Sequence, residues 1–175
     1  MNLMIPSEAV VAKKKTKKSF TLREIFKALS EIRAALLNDE IAMDICSEAG
    51  EDESILEAVP IYFEEMDVTA KTVSGKIMLN PALMDEPFII MMRYVIHELV
   101  HVMQHLDGQK RDKDDDGNYL DKETEEAAFK RQIEFDVEHR TEKDVDEYID
   151  GLLEYHDFPE KKREEKEEEL KEFVD

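Results

Sequence analysis

The stretch Phe88-Ile89-Ile90-Met91-Met92-Arg93-Tyr94-Val95-Ile96-His97-Glu98-Leu99-Val100-His101-Val102-Met103-Gln104-His105-Leu106 constrains the fold more than any other part of the chain. Its apolar residues would occupy every face of a helix, the pattern of a buried element rather than a surface one. A run of roughly 20 such residues is also near membrane-spanning length. Arg93, His97, Glu98, His101 and His105 interrupt it, however, and a central core helix is the better reading. Asp85 is expected to cap its start, with Pro87 in the first turn, where a missing N–H does no harm. Asp107-Gly108 supplies a stop signal.

Within that stretch His97-Glu98-Leu99-Val100-His101 is an HExxH motif. Residues four apart on a helix lie on one face, so His97 and His101 can grip one metal ion. Glu98 lies about 100° further round the helix, where it can reach a water on that ion. A pair of hydrogen-bonded core histidines is the competing reading. Two imidazoles at this spacing, flanking a carboxylate on an apolar helix, favour zinc.

A zinc site needs a third protein ligand. Gln104 and Asp107 stand where a metzincin would have its glycine and third histidine, so that pattern fails. Asp107 occupies an aspzincin-like position, but a continuing helix carries it away. His105 lies a further turn along, too distant at a rise of about 1.5 Å per residue. The remaining source is a downstream helix bearing glutamate, and Thr124-Glu125-Glu126-Ala127-Ala128-Phe129-Lys130-Arg131-Gln132-Ile133 provides one.

Three pieces between residues 60 and 135 together resemble the short gluzincins (minigluzincins), small zinc-peptidase domains common among phage-associated and stress-regulatory proteins. They are Gly75-Lys76-Ile77-Met78-Leu79-Asn80-Pro81, similar to an edge strand and turn before the active-site helix; Tyr94 to Gln104 around the motif; and Tyr119-Leu120 followed by Glu123-Thr124-Glu125-Glu126-Ala127-Ala128-Phe129. The resemblance implies a zincin-like α+β fold, mostly helical, with a small sheet packed on the HExxH helix and a second, Glu-bearing helix. It implies His97, His101 and Glu125 as zinc ligands, with Glu126 next in line and Glu123 third. Relatives often carry Glu, any residue, then Glu-Ala-Phe at the third piece; here Ala127 replaces the second Glu.

The chemistry that follows is peptide-bond hydrolysis, with zinc activating a water and Glu98 as general base. A further donor should stabilise the oxyanion; Tyr119, His139, Tyr148, Tyr155 and His156 are candidates that spacing does not rank. The strand near Ile77 would bind a peptide or protein substrate by strand addition.

Asp112 to Glu123 fits a second pattern, DxDxDG with Glu in twelfth place. Asp112, Asp114, Asp116, the Asn118 carbonyl and Glu123 would be the ligands of an EF-hand calcium loop. A solvated acidic turn is the competing reading, since Asp, Asn and Gly are ordinary turn residues.

A net charge of −20 argues against nucleic acid and anionic membranes as partners. The sole cysteine, Cys46, excludes an internal disulfide and fits a reducing compartment, the cytoplasm; the first residues show no basic leader before an apolar run. Residues 1–18 read as an arm with a basic cluster, Lys13 to Lys18. Residues 19–158 read as the domain, opening with a helix through Leu22, Ile25, Phe26, Leu29, Ile32 and Leu36, then short strands between residues 57 and 80. From Pro159 onward a Glu/Lys-rich helical tail is expected. The alternative to a peptidase is a catalytically weak zinc module that binds a partner, such as a phage or regulatory component; a calcium-responsive binder is a third reading.

Overall fold

Every residue from Met91 to Met103 is buried, so the apolar stretch forms the centre of the fold. The structure, a computed structural model, describes residues 19–108, 122–156 and 158–174. In chain order it runs α1 (Leu22–Leu36), α2 (Glu40–Glu48), a single turn α3 (Ile55–Ala58), β1 (Ile61–Phe63), β2 (Ala70–Val73), β3 (Lys76–Leu79), a 3₁₀ turn (Pro81–Asp85), α4 (Phe88–Leu106), α5 (Glu123–His139), α6 (Glu142–Tyr155), α7 (Glu160–Lys171) and a last 3₁₀ turn (Glu172–Val174). The architecture is α+β, mostly helical, with one mixed three-stranded sheet. No helix among the described residues is long and apolar enough to cross a membrane.

The start of α4 differs from the sequence expectation. The residue before a proline is pushed to extended geometry, and Glu86 sits at φ −94°, ψ 162°. The helix therefore cannot run back to Asp85, which closes the preceding 3₁₀ turn, and Pro87 takes the cap position. Asn80 holds that turn: its Oδ1 accepts from Ala82 N (3.0 Å) and its Nδ2 donates to Met66 O (2.8 Å). The other end of α4 follows the expectation, with Gly108 left-handed at φ 74° just past Asp107.

The strand around Ile77 is not an edge strand, which corrects the sequence reading. β3 is the middle strand, parallel to β1 (Ile61 opposite Ile77) and antiparallel to β2 (Thr72 opposite Ile77). Both its sides are paired, so no peptide can add there; among the described residues β1 and β2 are the edges. β2 and β3 are joined by Ser74-Gly75, both at positive φ (49° and 73°), the geometry of a two-residue hairpin turn. Ala70, Ile77 and Leu79 are buried, and β2 and β3 lie against α4.

Helices enclose the remaining sides. Thr21 and Glu24 form a capping box for α1, which buries Ala28, Ile32 and Leu36. Arg33 ties α1 to the turn before β1 by donating to the carbonyls of Leu56 and Val59. α2, which the sequence reading does not anticipate, is capped by Asp39 and buries Ile41, Ala42, Ile45 and Cys46 beside α4 and α5. After Pro159, α7 packs on α6 and contributes Leu170 to the core.

Candidate metal centre

α4 and α5 lie side by side, and polar pairs between them follow their shared line. Arg93 meets Asp136 at 3.0 Å, His97 Nδ1 meets Gln132 Oε1 at 2.8 Å, and His101 Nε2 meets Glu125 Oε2 at 3.2 Å. As α4 is followed from 93 to 101, its partners on α5 run back from 136 to 125, so the helices are antiparallel. Steps of four on α4 against four and seven on α5 keep each residue on its inner face. All these side chains except Gln132's are ionisable, and all are buried.

At one end of this line three ligand atoms converge. His97 Nε2 and His101 Nε2 are 3.1 Å apart, and Glu125 Oε2 lies 3.4 Å from the first and 3.2 Å from the second. A tetrahedral ion with bonds of about 2.0–2.2 Å needs ligand–ligand edges of roughly 3.3–3.6 Å. The triangle is therefore close to the size a metal requires. His97, His101 and Glu125 are the one group of this kind among the described residues.

The outer hydrogen bonds explain why the ligand atoms are bare. Gln104 Nε2 donates to Thr124 O (2.9 Å), which fixes its amide and turns Oε1 to accept from His101 Nδ1 (2.8 Å). Gln132 Oε1 meets His97 Nδ1, also at 2.8 Å, while its Nε2 is buried with no partner among the described residues. Each neutral imidazole carries one N–H, so both Nε2 atoms present lone pairs to each other and to a carboxylate. Three acceptors facing one another repel unless a cation lies between them. Burial alone would favour a neutral Glu125, but the hydrogen bonds and charge that a proton on His101 or His97 supplies outweigh it and hold the carboxyl well below the usual range; in the metal-free site that proton stands where the cation would. The donor set, two imidazoles and one carboxylate, fits a divalent metal ion.

Of the three glutamates considered as third ligand, only Glu125 enters the cluster. Glu123 is exposed and Glu126 half-buried. Ala127 is exposed too, so a glutamate there would face solvent and its replacement removes nothing from the site. His105 and Asp107 are exposed at the far end of α4. Phe129 packs edge-on against the His97 ring at 4.7 Å.

Glu98 is buried beside the ligands. Its Oε2 accepts from the Thr72 hydroxyl on β2 at 2.7 Å, whereas its Oε1 is buried with no hydrogen-bond partner among the described residues. Of the donors considered for an oxyanion, His156 packs edge-on against Phe129, which in turn packs on His97. Burial pushes its imidazole down to about 4, His97 adds to that, and Glu125 opposes it. His139 instead meets Asp39 at 3.3 Å, Tyr148 stacks on Arg93 at 4.2 Å, and Tyr155 packs on His156. Tyr119 lies outside the described residues, as do Asp112, Asp114, Asp116 and Asn118 of the calcium pattern; Glu123 of that pattern is the first residue of α5.

Gln104, Gln132 and Thr72 were not singled out from sequence. Gln104 could have been found three residues past His101 on the same helix, and Gln132 two turns past Glu125. Nothing local marks Thr72, whose partner is 26 positions away. In comparisons with protein-family models, curated proteins and solved structures, nothing matches this chain.

Proposed function

We propose that the chain is a zinc-dependent peptide hydrolase of the short-gluzincin, zincin-like type. One observation carries the reading: His97, His101 and Glu125 converge while Glu98, next to His97, keeps one carboxylate oxygen bare. Two histidines and a carboxylate that leave a fourth position open are a common catalytic zinc set. Zinc bound there would polarise a carbonyl and acidify a water.

The chain's own residues supply the rest. Glu98 takes the water proton at Oε1 and later returns it to the leaving amine. His156, which packs on the same Phe129 ring as His97, is the donor we assign to meet negative charge developing at the carbonyl oxygen. An extended peptide adds to the β2 edge rather than to β3, through main-chain hydrogen bonds that give little sequence selectivity.

A second reading rests on enclosure. His97, Glu98, His101 and Glu125 are all at most 3% exposed, which also fits a metal that holds α4 to α5 in a protein-binding module without catalysis. Zinc-reconstituted protein tested on a quenched-fluorescence peptide library separates the two. Cleavage by wild type, abolished in a Glu98→Gln variant that retains its metal, supports the peptidase. Metal-loaded wild type that cleaves nothing favours the module, and cleavage that survives Glu98→Gln contradicts Glu98 as the base.

A further inference from the structure

We propose that Thr72 is the positioning residue for the base Glu98, an inference that rests on the peptidase reading above. Its hydroxyl has one proton and two acceptors in reach, Glu98 Oε2 at 2.7 Å and the Glu98 carbonyl at 3.0 Å. The carbonyl is a helix-interior group with an i+4 partner of its own. Oε2 is the nearer acceptor and has no other donor among the described residues, so the proton goes to it. That bond fixes the rotation of the carboxylate and leaves Oε1, buried and unpartnered, as the oxygen that accepts the proton of a reacting water.

The strand register gives Thr72 a second property. Asn80 N–H donates to Thr69 O at 2.9 Å, which makes Thr69 and Asn80 a hydrogen-bonded pair of the β2–β3 ladder. Such pairs alternate along an antiparallel ladder, so Thr72, opposite Ile77, is a non-bonded position. Ile77 N–H accordingly turns the other way, to Pro60 O on the β1 side at 2.9 Å. The main-chain N–H and C=O of Thr72 therefore face the outer edge of β2. Thr72, like Ala70 two residues before it, thus turns its backbone toward an added peptide strand while its side chain holds the base.

Thr72→Val removes the hydroxyl at nearly constant shape, and Thr72→Ser restores it. In Thr72→Val, metal content is expected to stay at the wild-type level. Its kcat on a peptide substrate should fall about 10- to 100-fold, as when an outer hydrogen bond of a metal site is lost, with KM within about twofold. Crystals of the metal-free proteins should show the Glu98 carboxylate rotated away from β2 in Thr72→Val and in its wild-type position in Thr72→Ser. Should Thr72→Val not fold, Thr72→Ala takes its place against the same serine control. An unchanged kcat, a serine variant as impaired as the valine one, or an unmoved Glu98 would overturn the proposal. If the wild type cleaves no peptide, the peptidase reading has failed, and the position of Glu98 in the crystals still decides the role of Thr72.

Discussion

His97 and His101 bring their Nε2 atoms to 3.1 Å while a glutamine carbonyl holds each Nδ1 at 2.8 Å. The glutamines, more than the histidines, decide what the site can be, because they leave two lone pairs where one N–H would otherwise bridge the rings. A neutral amide in this position orients the ring without adding negative charge.

Gln104 and Gln132 should therefore tune metal affinity. Replacing either with leucine is expected to weaken zinc binding about 10- to 100-fold, read by competition with a chromogenic chelator. Gln104→Leu should also loosen the start of α5, whose Thr124 carbonyl it holds at 2.9 Å. Wild-type affinity in both variants would contradict this account of the site.

One turn before His97, Arg93 and Asp136 form a fully buried ion pair, with the guanidinium stacked on Tyr148. Asp136→Asn leaves a buried charge short of its counter-ion and is expected to cost about 3–5 kcal/mol. The double replacement Arg93→Met/Asp136→Leu should recover most of that loss, because apolar side chains of similar volume replace such pairs at little net cost. Urea denaturation of the three proteins checks both statements.

The central helix and its histidines were legible because a helix repeats in sequence what it presents in space: His97 and His101 at i and i+4, among residues apolar on all sides. The third ligand was legible only as a group of neighbouring glutamates. Which of them turns inward depends on the rotation of α5 against α4, set by distant contacts such as Arg93–Asp136. The order of the sheet was hidden for a related reason. Ile77 pairs with Ile61 across a connection that itself contains β2, and nothing in either short strand states that it will be flanked twice. The helix carrying Ile41, Ala42, Ile45 and Cys46 is short, and a lone Asp39 cap is a weak local mark of its start.

His156 makes the metal-free protein acid-sensitive with a defined sign. Its native value, about 4, lies below the ordinary 6.5, so the unfolded chain takes the proton first as pH falls. This contribution to stability is full above 6.5 and is lost as pH drops toward 4. Urea midpoints of chelator-treated protein should fall more steeply across that window in wild type than in His156→Gln; parallel curves would contradict the assignment.

Cys46 is fully buried, and burial, aided by Glu53 and Glu51, pushes its thiol up to about 11. Thiol reagents at pH 8 should label it only on unfolding, giving no fast phase in native protein and one equivalent in denaturant. Rapid labelling of native protein would show that α2 opens readily.

The most direct test is bound-metal content by elemental analysis of zinc-reconstituted wild type, Glu125→Ala and Glu126→Ala. One zinc per chain in wild type and Glu126→Ala, with most of it lost from Glu125→Ala after dialysis, is the predicted result. Absence of zinc from reconstituted wild type, or full retention in Glu125→Ala, would contradict the three-ligand centre.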